Sequence, residues 1–112
     1  MAAAIAQRLD VISEQGGMPF REVAQLLDTT PQTVSRWRTG TSSPQPDGLQ
    51  RLLTLEWLIS ELAGFYEPDQ ARLWLFAPHR LLGGDRPADR IQRGEVDAVL
   101  ALIHQLDDGA FV

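Results

Sequence analysis

The stretch Phe20-Arg-Glu-Val-Ala-Gln-Leu-Leu-Asp-Thr-Thr30-Pro-Gln-Thr-Val-Ser-Arg-Trp-Arg-Thr-Gly40 decides the fold class. Phe20, Val23, Ala24 and Leu27 fall at i, i+3, i+4 and i+7, the stripe of a short helix with one buried face. Asp28 and Thr29 then supply turn chemistry. Thr30 fits an N-cap with Pro31 at the first helical position, where its missing N–H costs nothing. The helix that starts there is expected to run to about Thr39, to bury Val34 and Trp37, and to stop at Gly40. Two short amphipathic helices joined by a few turn residues form the hairpin that seats its second helix in a DNA major groove. The exposed positions of that helix would be Gln32, Thr33, Ser35 and Arg36, with Arg38 nearer the DNA backbone. Glutamine can pair with adenine, arginine with guanine, and hydroxyls with phosphate. The same hairpin also serves a small three-helix core that never meets DNA, and cations are sparse here for a phosphate binder.

Upstream, Ile5, Leu9 and Ile12 predict a helix from about Ala2 to Glu14, closed by Gly16-Gly17. Downstream, the loop Thr41-Ser-Ser-Pro-Gln-Pro-Asp-Gly48 carries two prolines and is expected to stay non-helical. Leu49, Leu52, Leu53, Leu55, Trp57, Leu58, Ile59 and Leu62 then crowd one segment, which predicts a helix buried on more than one side. That is more apolar surface than so short a chain readily covers, so Leu55, Trp57 and Leu58 are expected to pair two copies in a homodimer. By spacing alone, Trp57 and Trp74 read as core residues. Pro68-Asp69 opens a short helix carrying Leu73, Trp74 and Leu75, and Ala77-Pro78 ends it. His79 to Gly94 reads as irregular, with room for a helical turn at Ala88 to Ile91. Val96, Val99, Leu100 and Ile103 mark a last helix before Gly109. The expected fold is all-α: a helix-turn-helix lobe over residues 1–47, continuous with a small helical lobe over residues 48–112.

The 112 residues, 44% hydrophobic and 22% charged, make one compact domain's worth of chain. Cysteine is absent, which excludes disulfides and thiolate chemistry. Lysine is absent too, for all ten basic residues are arginines. No Schiff-base lysine, pyridoxal phosphate anchor or Walker lysine is therefore possible. His79 and His104 stand far apart with no further ligand set, so no metal is expected. There is no Gly-x-Ser-x-Gly elbow, and Glu56 and Glu61 read as solvated charges. The chain is expected to be no enzyme and to need no cofactor. Its net charge is -5, and the acidity lies in the second half, where six arginines face ten acids. Arg80, Arg86, Arg90 and Arg93 cluster there, a pattern usual for a solvated face with local ion pairs. Apolar runs fall far short of the roughly 18 residues that span a bilayer, and the first residues lack a basic leader, so a cytoplasmic location without membrane contact is expected.

The string Thr30 to Gly40, followed by Pro44, resembles the Xre (Cro/phage-repressor) helix-turn-helix. Trp74-Leu-Phe-Ala-Pro78-His-Arg-Leu-Leu-Gly83, Arg86-Pro87-Ala-Asp89, Gly94-Glu95 and the ending Gly109-Ala-Phe-Val112 resemble the Xre/MbcA/ParS toxin-binding domain. Together the resemblances span about residues 20 to 112. They imply an antitoxin paired with a RES-domain toxin, an enzyme that consumes NAD or uses it for ADP-ribosylation. The antitoxin of such a pair binds the folded toxin and covers its active-site entrance. On this chain the resemblance implies that Trp74, Pro78, His79, Arg80, Leu81 and Arg90 dock on the toxin while Phe111 and Val112 plug the route to its NAD pocket. His79 departs from the family pattern, where asparagine is expected. The partners expected are then the toxin that the resemblance implies, a second copy of the chain within a hetero-oligomer, on the ground of its apolar surface, and its own promoter DNA through the helix-turn-helix. The alternative is a stand-alone helix-turn-helix transcription regulator whose second half only dimerises. An adjacent reading frame for a RES-like protein would favour the antitoxin.

Overall fold

The computed structural model describes residues 2–108. Seven helices follow one another: α1 Ala2–Gly16, α2 Phe20–Leu26, α3 Pro31–Thr39, α4 Pro46–Ala63, α5 Pro68–Phe76, α6 Pro87–Gln92 and α7 Val96–Asp107, with a 3-10 turn at Arg80–Leu82. Among the described residues there is no strand, and the expectation of an all-α chain is met.

α1 is the axle. It buries Leu9 and Ile12 and packs against α2, α3, α4 and α5. Its end reaches Gly16, two residues past the expected stop. Gly17 then turns with φ +62°, and the chain runs so near the start of α5 that a Cβ at Gly17 would lie 2.3 Å from the Pro68 carbonyl oxygen. Ser13 Oγ donates to the Met18 carbonyl at 2.6 Å and holds the same turn. α2 and α3 form the expected hairpin. Thr30 Oγ1 accepts from the Thr33 N–H at 3.1 Å, Pro31 sits in the first turn, Gly40 closes α3 in the left-handed region, and Val34 and Trp37 are buried.

α4 corrects the sequence in two ways. It begins at Pro46, so only the first proline of the preceding loop lies outside helix; a proline in the first helical turn gives up an N–H that has no partner there. It also presents Leu52, Leu55, Leu58, Ile59 and Leu62 to the core, largely against α1. Leu55 and Leu58, expected at a dimer contact, are thus inside the chain's own core. Trp57, read by spacing as core, is instead 46% exposed. Leu49, Leu53 and Trp57 stand at i, i+4 and i+8, a second stripe that faces outward.

The remaining helices add Ala71, Trp74 and Leu75 from α5, Ala88 and Ile91 from α6, and Val99, Leu102 and Ile103 from α7 to the same cluster of buried side chains. One core therefore runs through both halves of the chain. Arg72 on α5 reinforces it from outside, donating to both carboxylate oxygens of Glu22 on α2 at 2.9 and 2.6 Å. This bidentate grip holds the Glu22 carboxyl below the usual range, because the charged form is the one that accepts both bonds.

Candidate functional site

The residues from Trp74 to Glu95 fold into a braced surface loop. α5 buries Trp74, and the His79 ring meets it edge-on, with centroids 5.0 Å apart and planes 60° apart. Trp74 Nε1 is buried without a hydrogen-bond partner among the described residues. The loop closes on itself through backbone bonds: the His79 N–H to the Asp85 carbonyl at 3.0 Å, and the Gly84 N–H to the His79 carbonyl at 2.9 Å. Arg90 reaches in from α6, Nε to Asp85 Oδ2 at 2.9 Å and Nη2 to the Leu82 carbonyl at 3.0 Å. Arg93 adds a bond to Asp85 at 2.8 Å and one to Glu95 at 3.3 Å. Arg86 caps its own helix, its N–H and its guanidinium both donating to Asp89.

Of the predicted toxin-binding residues, Pro78, Arg80 and Leu81 lie exposed on this loop, with Leu81 at 59%. His79 is half-buried, Trp74 lies beneath it, and Arg90 is turned inward. Phe111 and Val112 lie outside the described residues. The arginine cluster bears out the reading as a face of local ion pairs for Arg86, Arg90 and Arg93. Arg80 is the exception and has no carboxylate or hydrogen-bond partner among the described residues.

The carboxylates of the brace are strongly biased toward the charged form. Arg93 first, then Arg90, hold the Asp85 carboxyl below its usual range. The guanidinium of Arg86, helped by its backbone N–H, pulls Asp89 down to about 2. An acid whose pKa is depressed by folding stabilises the fold above its unfolded value and loses that contribution as pH falls through the folded one. Stability is therefore expected to drop between about pH 4 and pH 2 as the Asp89 contribution is lost. Asp89→Asn should weaken the protein at neutral pH and flatten that acid limb, as read by urea unfolding at several pH values. Parallel acid limbs for the two proteins would refute it.

On the hairpin, Gln32, Ser35 and Arg36 are exposed on α3, and Thr33 is partly covered, its hydroxyl bonded to Thr30 Oγ1 at 3.0 Å. Arg38 is engaged elsewhere: it donates to Asp10 on α1 at 3.2 Å and lies over the Phe20 ring at 4.0 Å. From Thr29 to Pro46 the chain carries no acid, so α3 itself contributes only cations, Arg36 and Arg38, the latter paired with Asp10. Among the described residues no group of side chains could hold a metal ion, and no helix is long and apolar enough to cross a membrane.

Sequence reasoning missed three features. Arg72 was assigned no partner, because Glu22 lies fifty residues away in sequence. Leu73, grouped with Trp74 and Leu75, is 65% exposed, and Phe65 beyond α4 is exposed as well. The spacing between Leu73 and its buried neighbours Ala71, Trp74 and Leu75 was the available signal, since one helical face cannot hold all four.

A family model described as the antitoxin Xre/MbcA/ParS C-terminal toxin-binding domain matches residues 56–109, the segment that holds the braced loop. The mycobacterial cidal antitoxin MbcA of Mycobacterium tuberculosis is 40% identical over 99 residues, covering 88% of each chain, as is its counterpart in Mycobacterium bovis. A probable mycobacterial cidal antitoxin of M. tuberculosis is 32% identical over 96 residues, covering 86% of this chain and 82% of that one. In solved structures, the crystal structure of the M. tuberculosis MbcT–MbcA toxin–antitoxin complex contains a chain that superposes with a TM-score of 0.81 at 38% identity, over 96% of each chain. With a relative 40% identical over 88% of both chains and a fold match over 96% of both, the chain belongs to the Xre/MbcA/ParS antitoxin family.

Proposed function

We infer that this chain is the antitoxin of a toxin–antitoxin pair and silences its toxin by docking on it through the face of α5, the His79–Asp85 loop and α6. The toxin is a RES-domain enzyme that consumes NAD or uses it for ADP-ribosylation, and the docked antitoxin bars NAD from the active site in the cytoplasm. One observation carries this reading: the stretch of sequence with the family's toxin-binding pattern is folded as a rigid, solvent-facing loop, in a chain 38% identical to a partner in the MbcT–MbcA complex. Nanomolar inhibition requires roughly 12 kcal/mol of binding free energy, more than a short tail provides, so the broad face carries the affinity. Phe111 and Val112 act as the plug.

Deleting residues 109–112 is accordingly expected to restore toxin activity while the complex still forms on co-expression with the cognate toxin. Full inhibition by the truncated chain at equal occupancy would remove the plug and leave the docked face as the whole block. Failure of the complete chain to form a complex would remove the antitoxin reading itself. α3, which carries no acid of its own, supports a second activity, repression of the chain's own operon through Gln32, Ser35 and Arg36. Arg36→Ala should weaken promoter binding by about 1–3 kcal/mol and leave neutralisation intact. A homodimer fits the repressor, with the outward stripe of Leu49, Leu53 and Trp57 as its contact.

A further inference from the structure

Among the six arginines of the second half, five are spent on the fold. Arg51 donates to the Gln92 carbonyl at 3.0 Å, Arg72 to Glu22, Arg86 to Asp89, Arg90 to Asp85 and the Leu82 carbonyl, and Arg93 to Asp85 and Glu95. Arg80 alone of these, among the described residues, points no donor at the protein. Its neighbour Leu81 is 59% exposed. A cation and a large apolar side chain therefore stand together at the tip of the 3-10 turn, with no intramolecular role.

The ground under this pair is unusually stiff for a loop of seven residues. Backbone bonds tie both ends together, and the Trp74–His79 contact seats one end on α5. Arg90 fastens the other end twice, to a side chain and to a carbonyl. The Arg90 side chain is mostly covered, at 24% exposure, so its polar atoms are turned to the loop and little of it is offered to a partner. A loop held in its bound shape loses less entropy on association than a mobile one.

We propose that the His79–Asp85 loop is a preformed docking knob, that Arg80 and Leu81 at its tip enter an apolar recess with a carboxylate at its rim on the toxin, and that Arg90 is a positioning residue that acts through the loop. The proposal rests on the antitoxin reading above. An apolar recess answers Leu81, and a carboxylate beside it answers the guanidinium that, alone in the second half, has no partner among the described residues, a pairing that strengthens as water is expelled.

The test is a double-mutant cycle on the full chain, titrated calorimetrically against an inactive variant of the cognate RES-domain toxin. Leu81→Asp, at an exposed position that tolerates polarity, is expected to weaken binding by about 100-fold or more, and Arg80→Gln by about 10-fold. Arg90→Met is expected to cost about 10-fold in the parent and under about 2-fold in an Arg80→Gln/Leu81→Ala background, since with both tip side chains removed a residue acting through the loop has nothing left to position. A purely structural role would lower the melting temperature and leave affinity well below it unchanged, whereas the proposal requires affinity to fall in fully folded protein. Arg90→Lys, which keeps one of the two bonds, should recover part of the loss. The proposal is overturned if Leu81→Asp binds like the parent. It is equally overturned if Arg90→Met costs the same in both backgrounds, which would make Arg90 an independent contact. If the parent chain itself does not bind the toxin, the antitoxin reading falls first and takes the knob with it.

Discussion

Leu58→Asp is expected to leave the chain unfolded or insoluble, while Trp57→Asp, one position away, is expected to fold normally. Leu58 has no exposed surface and sits where α4 packs on α1. Truncating such a leucine to alanine costs about 2–5 kcal/mol, set against a total stability of about 5–15 kcal/mol for a small domain. An unpaired carboxylate at the same place adds a desolvation cost of several kcal/mol more. Trp57 lies on the outward stripe, so an aspartate there remains in water. Its effect should be on assembly: light scattering is expected to show a dimer for the parent and a monomer for Trp57→Asp. Circular dichroism separates the pair at once. A cooperative, native-like melt for Leu58→Asp would refute the placement of α4, and an unchanged dimer for Trp57→Asp would remove the stripe as its contact.

The second large effect is expected at Gly17. Alanine there meets two penalties at once: a positive φ, costing about 1–2 kcal/mol for a residue with a Cβ, and a methyl group placed 2.3 Å from the Pro68 carbonyl oxygen. Relief requires α1 and α5 to move apart, which opens the core between them. Gly17→Ala should therefore lose about 3 kcal/mol or more, near the upper range for single substitutions. Gly83→Ala is the internal control, because Gly83 shares the positive φ but has open space around it. It should lose only about 1 kcal/mol. Urea unfolding of the two variants measures the difference; equal losses would mean that the close approach of Gly17 to Pro68 carries no energy.

The hairpin was legible in the sequence because its punctuation is local. Thr30, Pro31 and Gly40 each do their work within one turn of helix, and a seven-residue stripe suffices to find the buried face of α2. α4 was not legible in the same way. With apolar residues nearly all round it, the pattern admits two faces, and only the helices packed on it, α1 foremost, decide that Leu55 and Leu58 go inward and Trp57 outward. Similarly, Arg90 could be recognised as part of a charged cluster, but its bond to a main-chain carbonyl eight residues back leaves no mark on composition. Arg38 was expected at DNA for its place in the hairpin, and a carboxylate twenty-eight residues upstream claims it. Contacts across the fold, with no periodicity of their own, are what the one-dimensional pattern lacks.

That a single core joins the hairpin to the loop bears on how long the protein persists in a cell. Domains of this size open in one cooperative step, and degradation of such a unit follows the population of its open form. A protease that captures the open chain consumes both halves in one event, with no surviving fragment that keeps the hairpin or the braced loop alone. Whatever occupies either surface of the folded chain withdraws the whole molecule from turnover, so the lifetimes of the two surfaces are one lifetime.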